Sequence, residues 1–519
     1  MEKIYIDITS FYNTDFLSGI QRVVREIVVR LLKMAEFNIV LFTWKKEETL
    51  LSIFSNEDFL LCYDSGAIKK NKIRIEKKIN IENIEKDSIL FEIDSVWDGR
   101  CHARHEVLPY LAERGVLISS YIYDVLPITN PEFWSVPIPL FYGYIAANLV
   151  CATSLITSVN ETVKKLSVIA EKAGTTIPPC TVSWLGSDFK ANGSTGTVSK
   201  EAIRIAECGK YILCVGTLEP RKNHKLVLDA FDKKLGTQGI NLVFAGRRGW
   251  NVDGLLSRID SHPKKNKNFF FLEGENDETI AYLYEHAFVV VFPTFDEGFG
   301  LPLVEALLKG KVCAVSNVPV MREVGGRACD YFDPKSCESL STLIESYLKN
   351  NELYEQCEKR AKEYKAVLWD DVAEKIREAI LSIKNDKTTE KRMKEISVNQ
   401  IMDSIRKDIS AKGYKQSDLE FEKIKVNNKV TFNEAELTES LMGANGSYHI
   451  DTFSNFTGGK LRIFIKKIVR FLVRNTFSEQ IGTQECFNIN SVRVLNQLEK
   501  HMRELEIRIT ELERAQGKE

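Results

Sequence analysis

Several features that would assign a function directly are missing from this sequence. Its 11 cysteines stand singly, with no C-x-x-C pair and no Cys/His cluster at zinc spacing, so neither a zinc site nor a disulfide framework is expected. The 71 Lys and Arg residues are balanced by 72 Asp and Glu, a formal net charge of -1, which argues against nucleic acid as a partner. Unpaired cysteines and an N-terminus without a signal-peptide pattern predict a chain that stays inside the cell.

Two motifs of cofactor-dependent enzymes are also missing. No G-x-G-x-x-G follows the first strand of either half of the chain, which argues against a dinucleotide oxidoreductase, and without an evident Asp-x-Asp motif we expect neither a metal ion nor a cofactor. Residues 135–160 carry no charge and are long enough to span a bilayer. Their prolines and polar side chains instead favour a core helix near 140–150, followed by a strand at 154–159.

Short apolar runs alternate with helical patterns in two blocks. The first block predicts strands at 3–8, 38–44, 88–94, 115–124 and 154–159. After a polar stretch, the second predicts strands at 211–216, 240–246, 268–274, 288–294 and 311–317. Apolar strands of this kind indicate parallel sheets covered by helices, which bind ligands beyond the carboxyl ends of their strands. We therefore expect two α/β domains, 1–195 and 196–384, that face each other across a cleft.

Beyond about residue 385 the strand signals stop. Residues 385–455 are interpreted as a helical connector. Within 456–480, the segment 460–477 holds six Lys or Arg and no acid, with its apolar side chains on one helical face. Such a helix suits an anionic membrane surface, and packing on the second domain is the alternative. A heptad pattern at 490–516 predicts a short coiled coil, for self-association or for packing within the chain.

The segment 293–310, PTFDEGFGLPLVEALLKG, places two acids and two glycines at a strand-to-helix turn. A helix start favours anions, and glycines let a backbone approach a ligand closely. Glu297 and Glu305 nevertheless stand eight residues apart in it. Carboxylates accept hydrogen bonds, so these acids would bind hydroxyl groups while backbone N–H groups bind phosphate. Taken singly, Glu297 is better explained as a solvated loop acid, and Glu305 as an exposed acid favoured by the helix dipole.

A second strand-to-helix turn, at 214–231, carries the cations Arg221 and Lys222 near its helix start. Cations there oppose the helix dipole, and an anion bound between them would explain their position. A solvated pair is the alternative. Because both turns follow strands of one predicted domain, their charges complement a ligand that has both a diphosphate and hydroxyl groups, such as a nucleotide sugar.

These motifs together resemble a known family. EGFGLPLVE at 297–305 is similar to the Glu-x7-Glu signature of family 4 glycosyltransferases, retaining enzymes of the GT-B fold, and GTLEPRKN and AGRRGW are similar to its other donor-domain motifs. The resemblance covers about residues 1–380. It implies that Arg221 and Lys222 hold the donor diphosphate, that Glu297 holds the transferred sugar and that Glu305 binds the ribose. The donor-binding set it implies is Gly19, Gly216, Gly246, Gly298, Phe299, Gly300, Leu301 and Glu305.

The N-terminal half resembles the family in two segments. LSGIQRVVREIV, at 17–28, is similar to the first glycine loop, where Gly19 would face donor and acceptor. YDVLPITNPEFW, at 123–134, is similar to the family's His-Asp segment, but Tyr123 stands where many members have histidine. The resemblance therefore leaves Asp124 as the polar contributor, in a catalytic set with Glu297, Arg221 and Lys222.

The resemblance extends to enzymes of bacterial O-antigen and surface-polysaccharide assembly. It implies retaining, metal-independent transfer of mannose from GDP-mannose to a lipid-linked oligosaccharide, at the inner face of the cell membrane. The leaving phosphate would take the acceptor proton on the same face of the sugar. The alternatives are a transferase with a UDP- or dTDP-sugar donor, a non-catalytic nucleotide-sugar-binding scaffold, and a nucleotide-sugar epimerase, which would need no acceptor.

Overall fold

The computed structural model describes residues 2–14, 19–46, 48–64, 73–134, 138–187, 197–383 and 387–412. All of them belong to the first of two compact units of the chain, Met1–Phe421. The expected membrane-surface helix at 456–480 and the coiled coil at 490–516 lie outside the described residues. Within the described ranges, no helix is both long and apolar enough to cross a membrane.

The N-terminal domain is built on an eight-stranded sheet of order β4-β3-β2-β1-β5-β6-β7-β8. Its strands are β1 (Glu2–Asp7), β2 (Phe37–Thr43), β3 (Leu51–Phe54), β4 (Ile75–Ile79), β5 (Ile89–Glu92), β6 (Leu117–Ile122), β7 (Ser154–Thr157) and β8 (Cys180–Val182). Its helices are α1 (Thr9–Tyr12), α2 (Gly19–Leu32), α3 (Asn56–Asp64), α4 (Arg104–Glu113), α5 (Leu126–Thr129), α6 (Pro139–Cys151) and α7 (Asn160–Lys172). All its pairings are parallel except β2 with β3 and β3 with β4.

The charge-free segment lies in the core of this domain, as predicted. It forms α6, whose residues from Phe141 to Cys151 are all buried, and then β7. The five strands predicted for this domain are also confirmed, whereas β3, β4 and β8 were not predicted. Strand β4 reads IEKKI and is mostly exposed, so it gives no apolar signal.

The C-terminal domain has a six-stranded, parallel sheet of order β11-β10-β9-β12-β13-β14. Its strands are β9 (Tyr211–Val215), β10 (Asn241–Ala245), β11 (Phe269–Leu272), β12 (Val289–Phe292), β13 (Cys313–Ser316) and β14 (Asp330–Phe332). Its helices are α8 (Lys200–Glu207), α9 (His224–Lys233), α10 (Asp253–Asp260), α11 (Asp277–His286), α12 (Leu301–Leu308), α13 (Pro319–Gly325), α14 (Cys337–Lys349), α15 (Asn351–Lys362) and α16 (Trp369–Leu381). All five predicted strands are confirmed, and only the three-residue β14 was missed.

Strand order places the cleft. In each sheet the first strand lies between its sequence neighbour and a later strand, β1 between β2 and β5, and β9 between β10 and β12. Loops leave such a switch point in opposite directions and open a crevice at the carboxyl ends of the strands. The loops that follow β9 and β12 therefore start side by side, which is where both charged motifs lie.

The last described helices return to the N-terminal domain. Helix α16 packs against α2, and its Trp369 is buried so tightly against Gly186 that a Cβ atom there would lie 2.6 Å from the indole ring. Helices α17 (Lys387–Glu395) and α18 (Val398–Ala411) pack against α6. In α18 the buried apolar face joins one core of the N-terminal domain, so this part of the predicted connector contributes to that domain.

Candidate active site

The turn between β12 and α12 depends on glycine. Gly300 is the N-cap of α12 and has a positive φ of 97°, and a Cβ atom there would lie only 2.7 Å from Met321 Cε. Few residues other than glycine adopt this conformation, and none would fit the space without displacing Met321. The turn lets the chain enter α12 directly after Glu297, with Pro302 in the first helical turn as predicted.

Glu297 lies at the centre of a buried charge cluster. Its Oε2 accepts a hydrogen bond from Arg221 Nη1 and its Oε1 one from Lys222 Nζ, each at 2.5 Å. Burial raises the pKa of this carboxyl, but the charges and hydrogen bonds of the two cations outweigh burial and hold its pKa at about 2. The structure thus brings together three of the four predicted catalytic residues, with Glu297 ionised at neutral pH.

Arg221 is fixed from two further directions. Its Nη2 donates to Glu219 Oε1 at 2.5 Å, and its Nη1 also donates to the backbone oxygen of Asp296 at 2.9 Å. Burial lowers the pKa of this guanidinium, but Glu297 and Glu219 raise it more, so it stays charged. A guanidinium held in this way presents its donors in a fixed geometry.

Asp124 follows β6 and meets the same turn from the N-terminal domain. A Cβ atom at Gly298 would lie 3.0 Å from Asp124 Oδ2, so only glycine allows this approach without displacing the carboxylate. Ser158 Oγ donates to the backbone oxygen of Gly298 at 3.1 Å. Burial raises the pKa of Asp124, against the nearby charges of Arg221 and Lys165. The fourth predicted catalytic residue is therefore also at the cleft.

Tyr123 does not take the place of the histidine found in many family members. Its hydroxyl donates to the backbone oxygen of Ile93 at 2.7 Å, and the side chain is buried. Burial raises its pKa well above the ordinary value. The hydroxyl is thus held inside the N-terminal domain, and Asp124 is the polar side chain that this segment places at Gly298.

Glu305 is paired across the cleft. Its Oε1 accepts a hydrogen bond from Nη1 of Arg22, on α2, at 2.5 Å. The Glu305 side chain is only 10% exposed and the Arg22 side chain 25%. Gly19, which begins α2, faces the start of α12. A Cβ atom built on Gly19 would lie 3.9 Å from Leu301 Cδ1. Burial raises the pKa of Glu305 and Arg22 opposes that rise.

The remaining predicted donor glycines have a packing role. Gly216 has a positive φ of 143°, and a Cβ atom at Gly246 would overlap the carbonyl oxygen of Gly216. The loops after β9 and β10 thus touch through their backbones. Phe299 is buried and lies edge-on to Trp184, with ring centroids 6.1 Å apart, so its side chain belongs to the core. Contacts of these residues with a donor stay predictions.

Sequence reasoning missed two side chains that join the domains here. Lys165 Nζ, on α7, donates a hydrogen bond to Asp296 Oδ2 at 2.6 Å. Glu323, on α13, accepts hydrogen bonds from Asn160 N at 2.7 Å and Asn160 Nδ2 at 2.8 Å, at the start of α7. A lysine on an amphipathic helix and an acid on a short helix carry no signal of this kind. Across the described ranges, no group of three or more His, Cys, Asp or Glu side chains is placed to hold a metal ion.

Residues 197–364, which contain the Glu297–Arg221–Lys222 cluster, match the family described as Glycosyl transferases group 1. These residues form a group 1 glycosyltransferase domain. This match confirms the resemblance to glycosyltransferases and is consistent with family 4. The match includes both charged turns and β9 to β14.

A bacterial relative extends the similarity into the N-terminal domain. The serotype-specific mannosyltransferase WbdA of Escherichia coli is 30% identical over 378 residues, which cover 68% of this chain and 43% of that protein. The O-antigen chain mannosyltransferase RfbU of Salmonella typhimurium is 30% identical over 145 residues, 28% of this chain and 40% of that protein. The chain therefore spans less than half the length of these relatives.

Solved structures show the fold. HepE of Anabaena, in complex with UDP and glucose, superposes with a TM-score of 0.50 at 14% identity, over 74% of this chain and 100% of that chain. Sucrose-phosphate synthase from Thermosynechococcus elongatus superposes with a TM-score of 0.51 at 14% identity, over 73% and 98% of the two chains. The described chain has the predicted GT-B fold.

Proposed function

We propose that this protein is a retaining, metal-independent hexosyltransferase that transfers mannose from GDP-mannose to a lipid-linked oligosaccharide in O-antigen synthesis. Its main support is the buried cluster of Glu297, Arg221 and Lys222 at the switch point, opposite Asp124. The names of the Escherichia coli and Salmonella relatives support mannose as the transferred sugar.

The two cations are suited to the leaving group. Cleavage of the sugar–phosphate bond builds negative charge on the diphosphate, and a fixed guanidinium and ammonium stabilise that charge without reorganisation. Both cations are paired with Glu297, so a bound diphosphate would share them with this carboxylate. They have the capacity, because Arg has five N–H donors and Lys three. With two cations at the leaving group, the proposed mechanism needs no metal ion.

The two carboxylates are suited to the sugar. Glu297 stays ionised at neutral pH, since its pKa is about 2, and it is a hydrogen-bond acceptor for sugar hydroxyls. Asp124 approaches the same backbone from the other domain. Bridges such as Lys165 to Asp296 would close the cleft over the donor and exclude water, which protects it from hydrolysis.

A donor panel tests this proposal. Purified full-length protein is incubated with GDP-mannose and with UDP- and dTDP-sugars, together with lipid-linked oligosaccharides, and products are identified by mass spectrometry. We expect transfer from GDP-mannose, a loss of about 100-fold or more in Glu297→Ala, and no loss in Glu106→Ala, whose side chain is 77% exposed.

Other outcomes of the panel would replace the proposal. Turnover with a UDP- or dTDP-sugar alone would reassign the donor. Nucleotide-sugar binding without any turnover would favour the scaffold, and a sugar product formed without acceptor would favour an epimerase. Full activity in Glu297→Ala would remove the site assignment.

We also propose that the protein acts at the inner face of the cell membrane and contacts it through residues 460–477. The support is the basic, amphipathic pattern of that segment. Liposomes with and without anionic lipid are sedimented with the full-length chain and with a chain truncated after Lys412, which keeps α18. Equal sedimentation of the two chains would contradict the proposal.

A further inference from the structure

Arg22 and Glu305 form a contact between domains that the fold alone does not require. They are 283 residues apart in sequence, on α2 and α12, and their charged atoms are 2.5 Å apart. Glu305 is 7% exposed as a residue, so its carboxylate has little access to water. A carboxylate at such a site needs a partner to remain charged.

The surroundings of Glu305 make Arg22 that partner. Burial raises the pKa of Glu305, and the charge and hydrogen bond of Arg22 are the main factors that lower it. Of the other groups facing it, Asp277 raises the pKa and the Tyr284 hydroxyl lowers it through a hydrogen bond. Removal of Arg22 would therefore leave a carboxyl that protonates more readily.

We infer that Arg22 is a positioning residue of the nucleotide site, which holds the Glu305 carboxylate ready to accept hydrogen bonds from the vicinal hydroxyls of the nucleotide's ribose. This rests on the proposed function, because the family resemblance places the ribose at Glu305. Two carboxylate oxygens offer about four acceptor positions, and the bond from Arg22 takes one of them. Nucleotide affinity thereby comes to depend on contact between the two domains.

The same helix provides a matched control. Arg25 lies one turn further along α2, and its guanidinium pairs with Glu26 of the same helix at 2.6 Å. Arg22 and Arg25 have the same side chain on the same helix, but Arg22 pairs with Glu305 of the other domain whereas Arg25 pairs with Glu26 of its own helix. A general loss of positive charge on α2 would affect both variants alike.

Calorimetric titration of the full-length protein with GDP, and with UDP, tests the inference. At pH 8 we expect R22M to bind the nucleotide that wild type prefers about tenfold more weakly, the usual weight of one charge-assisted hydrogen bond. The deficit should be larger at pH 6 than at pH 8, because without Arg22 the Glu305 carboxyl protonates more readily and a neutral carboxyl is a poorer acceptor. R22K should recover most of the affinity at both pH values, and R25M should match wild type.

A double-mutant comparison separates positioning from folding. Arg22→Met should have little further effect in a Glu305→Gln background, because the carboxylate it positions is gone. Affinity of R22M equal to wild type at both pH values overturns the inference, as does an R22M deficit that is smaller at pH 6 than at pH 8 or that persists in full beside E305Q. Wild type that binds neither nucleotide overturns the proposed function and this inference together.

Discussion

Replacement of Glu297 by glutamine is the sharpest energetic test of the buried charge cluster. The amide is close in shape to the carboxylate but cannot neutralise Arg221 and Lys222. Loss of one partner from a buried ion pair costs about 3–5 kcal/mol in general. Because Arg221 keeps Glu219 as a second partner, we expect Glu297→Gln to lower the free energy of unfolding at pH 7 by about 3 kcal/mol.

The pH dependence of the unfolding free energy tests whether ionised Glu297 stabilises the fold. The pKa of Glu297 is about 2 in the folded protein and its ordinary value is 4.5, so its ionised form stabilises the fold above pH 4.5. That stabilisation is lost as the pH falls toward the folded pKa. The gap in unfolding free energy between wild type and Glu297→Gln should therefore shrink by about 2 kcal/mol between pH 7 and pH 3.

Urea unfolding followed by tryptophan fluorescence measures this gap at pH 7, 5, 4 and 3. Glu106→Gln, at an exposed carboxylate, controls for the general effect of one lost charge and should show a gap near zero throughout. A gap between wild type and Glu297→Gln that stays constant from pH 7 to pH 3 would show that the two cations do not hold Glu297 ionised.

Three further predictions follow from the site. Lys222→Gln should lower kcat/KM about 100-fold or more, because it removes one cation from the leaving group. Lys225→Gln, at a side chain 69% exposed in the first turn of α9, should match wild type in the same assay. Tyr123→Phe should lower the free energy of unfolding by about 1 kcal/mol through loss of its bond to Ile93 and leave kcat unchanged, so a large fall in kcat would assign Tyr123 a catalytic role. Gly300→Ala should lower the free energy of unfolding by about 1–3 kcal/mol, since the φ of Gly300 is positive and Met321 fills the space beside it. A thermal midpoint equal to wild type would contradict that account.

Elements with a strong local signal were predictable from the sequence. Strands β9 to β13 are continuous apolar runs between turns, and a parallel sheet buries both faces of such strands. Strand β4 could not be predicted, because its sequence IEKKI has no alternation of apolar and polar residues and most of the strand is exposed. The packing of α17 and α18 on α6 depends on a partner far away in sequence, which no local pattern identifies.

The site was predictable where one sheet brings two loops together. Glu297 and the pair Arg221 and Lys222 follow strands of one predicted domain, which was enough to expect them at one ligand, and the structure places these two strands side by side. Sequence reasoning assigned the acid to hydroxyls and the cations to phosphate, and it did not foresee that they bond each other. Contacts between domains, such as Arg22 with Glu305, depend on how two separate sheets are placed, and local sequence does not encode that placement.

The most direct test of the account is a nuclear magnetic resonance measurement of the product that wild type forms from GDP-mannose and a lipid-linked oligosaccharide acceptor. The account predicts that GDP is released, that one mannosyl residue is added, and that its anomeric configuration is the same as in the donor. A product of inverted configuration would contradict the retaining mechanism. No mannosyl product from any lipid-linked acceptor, with the folded protein and its donor present, would contradict the proposed function itself.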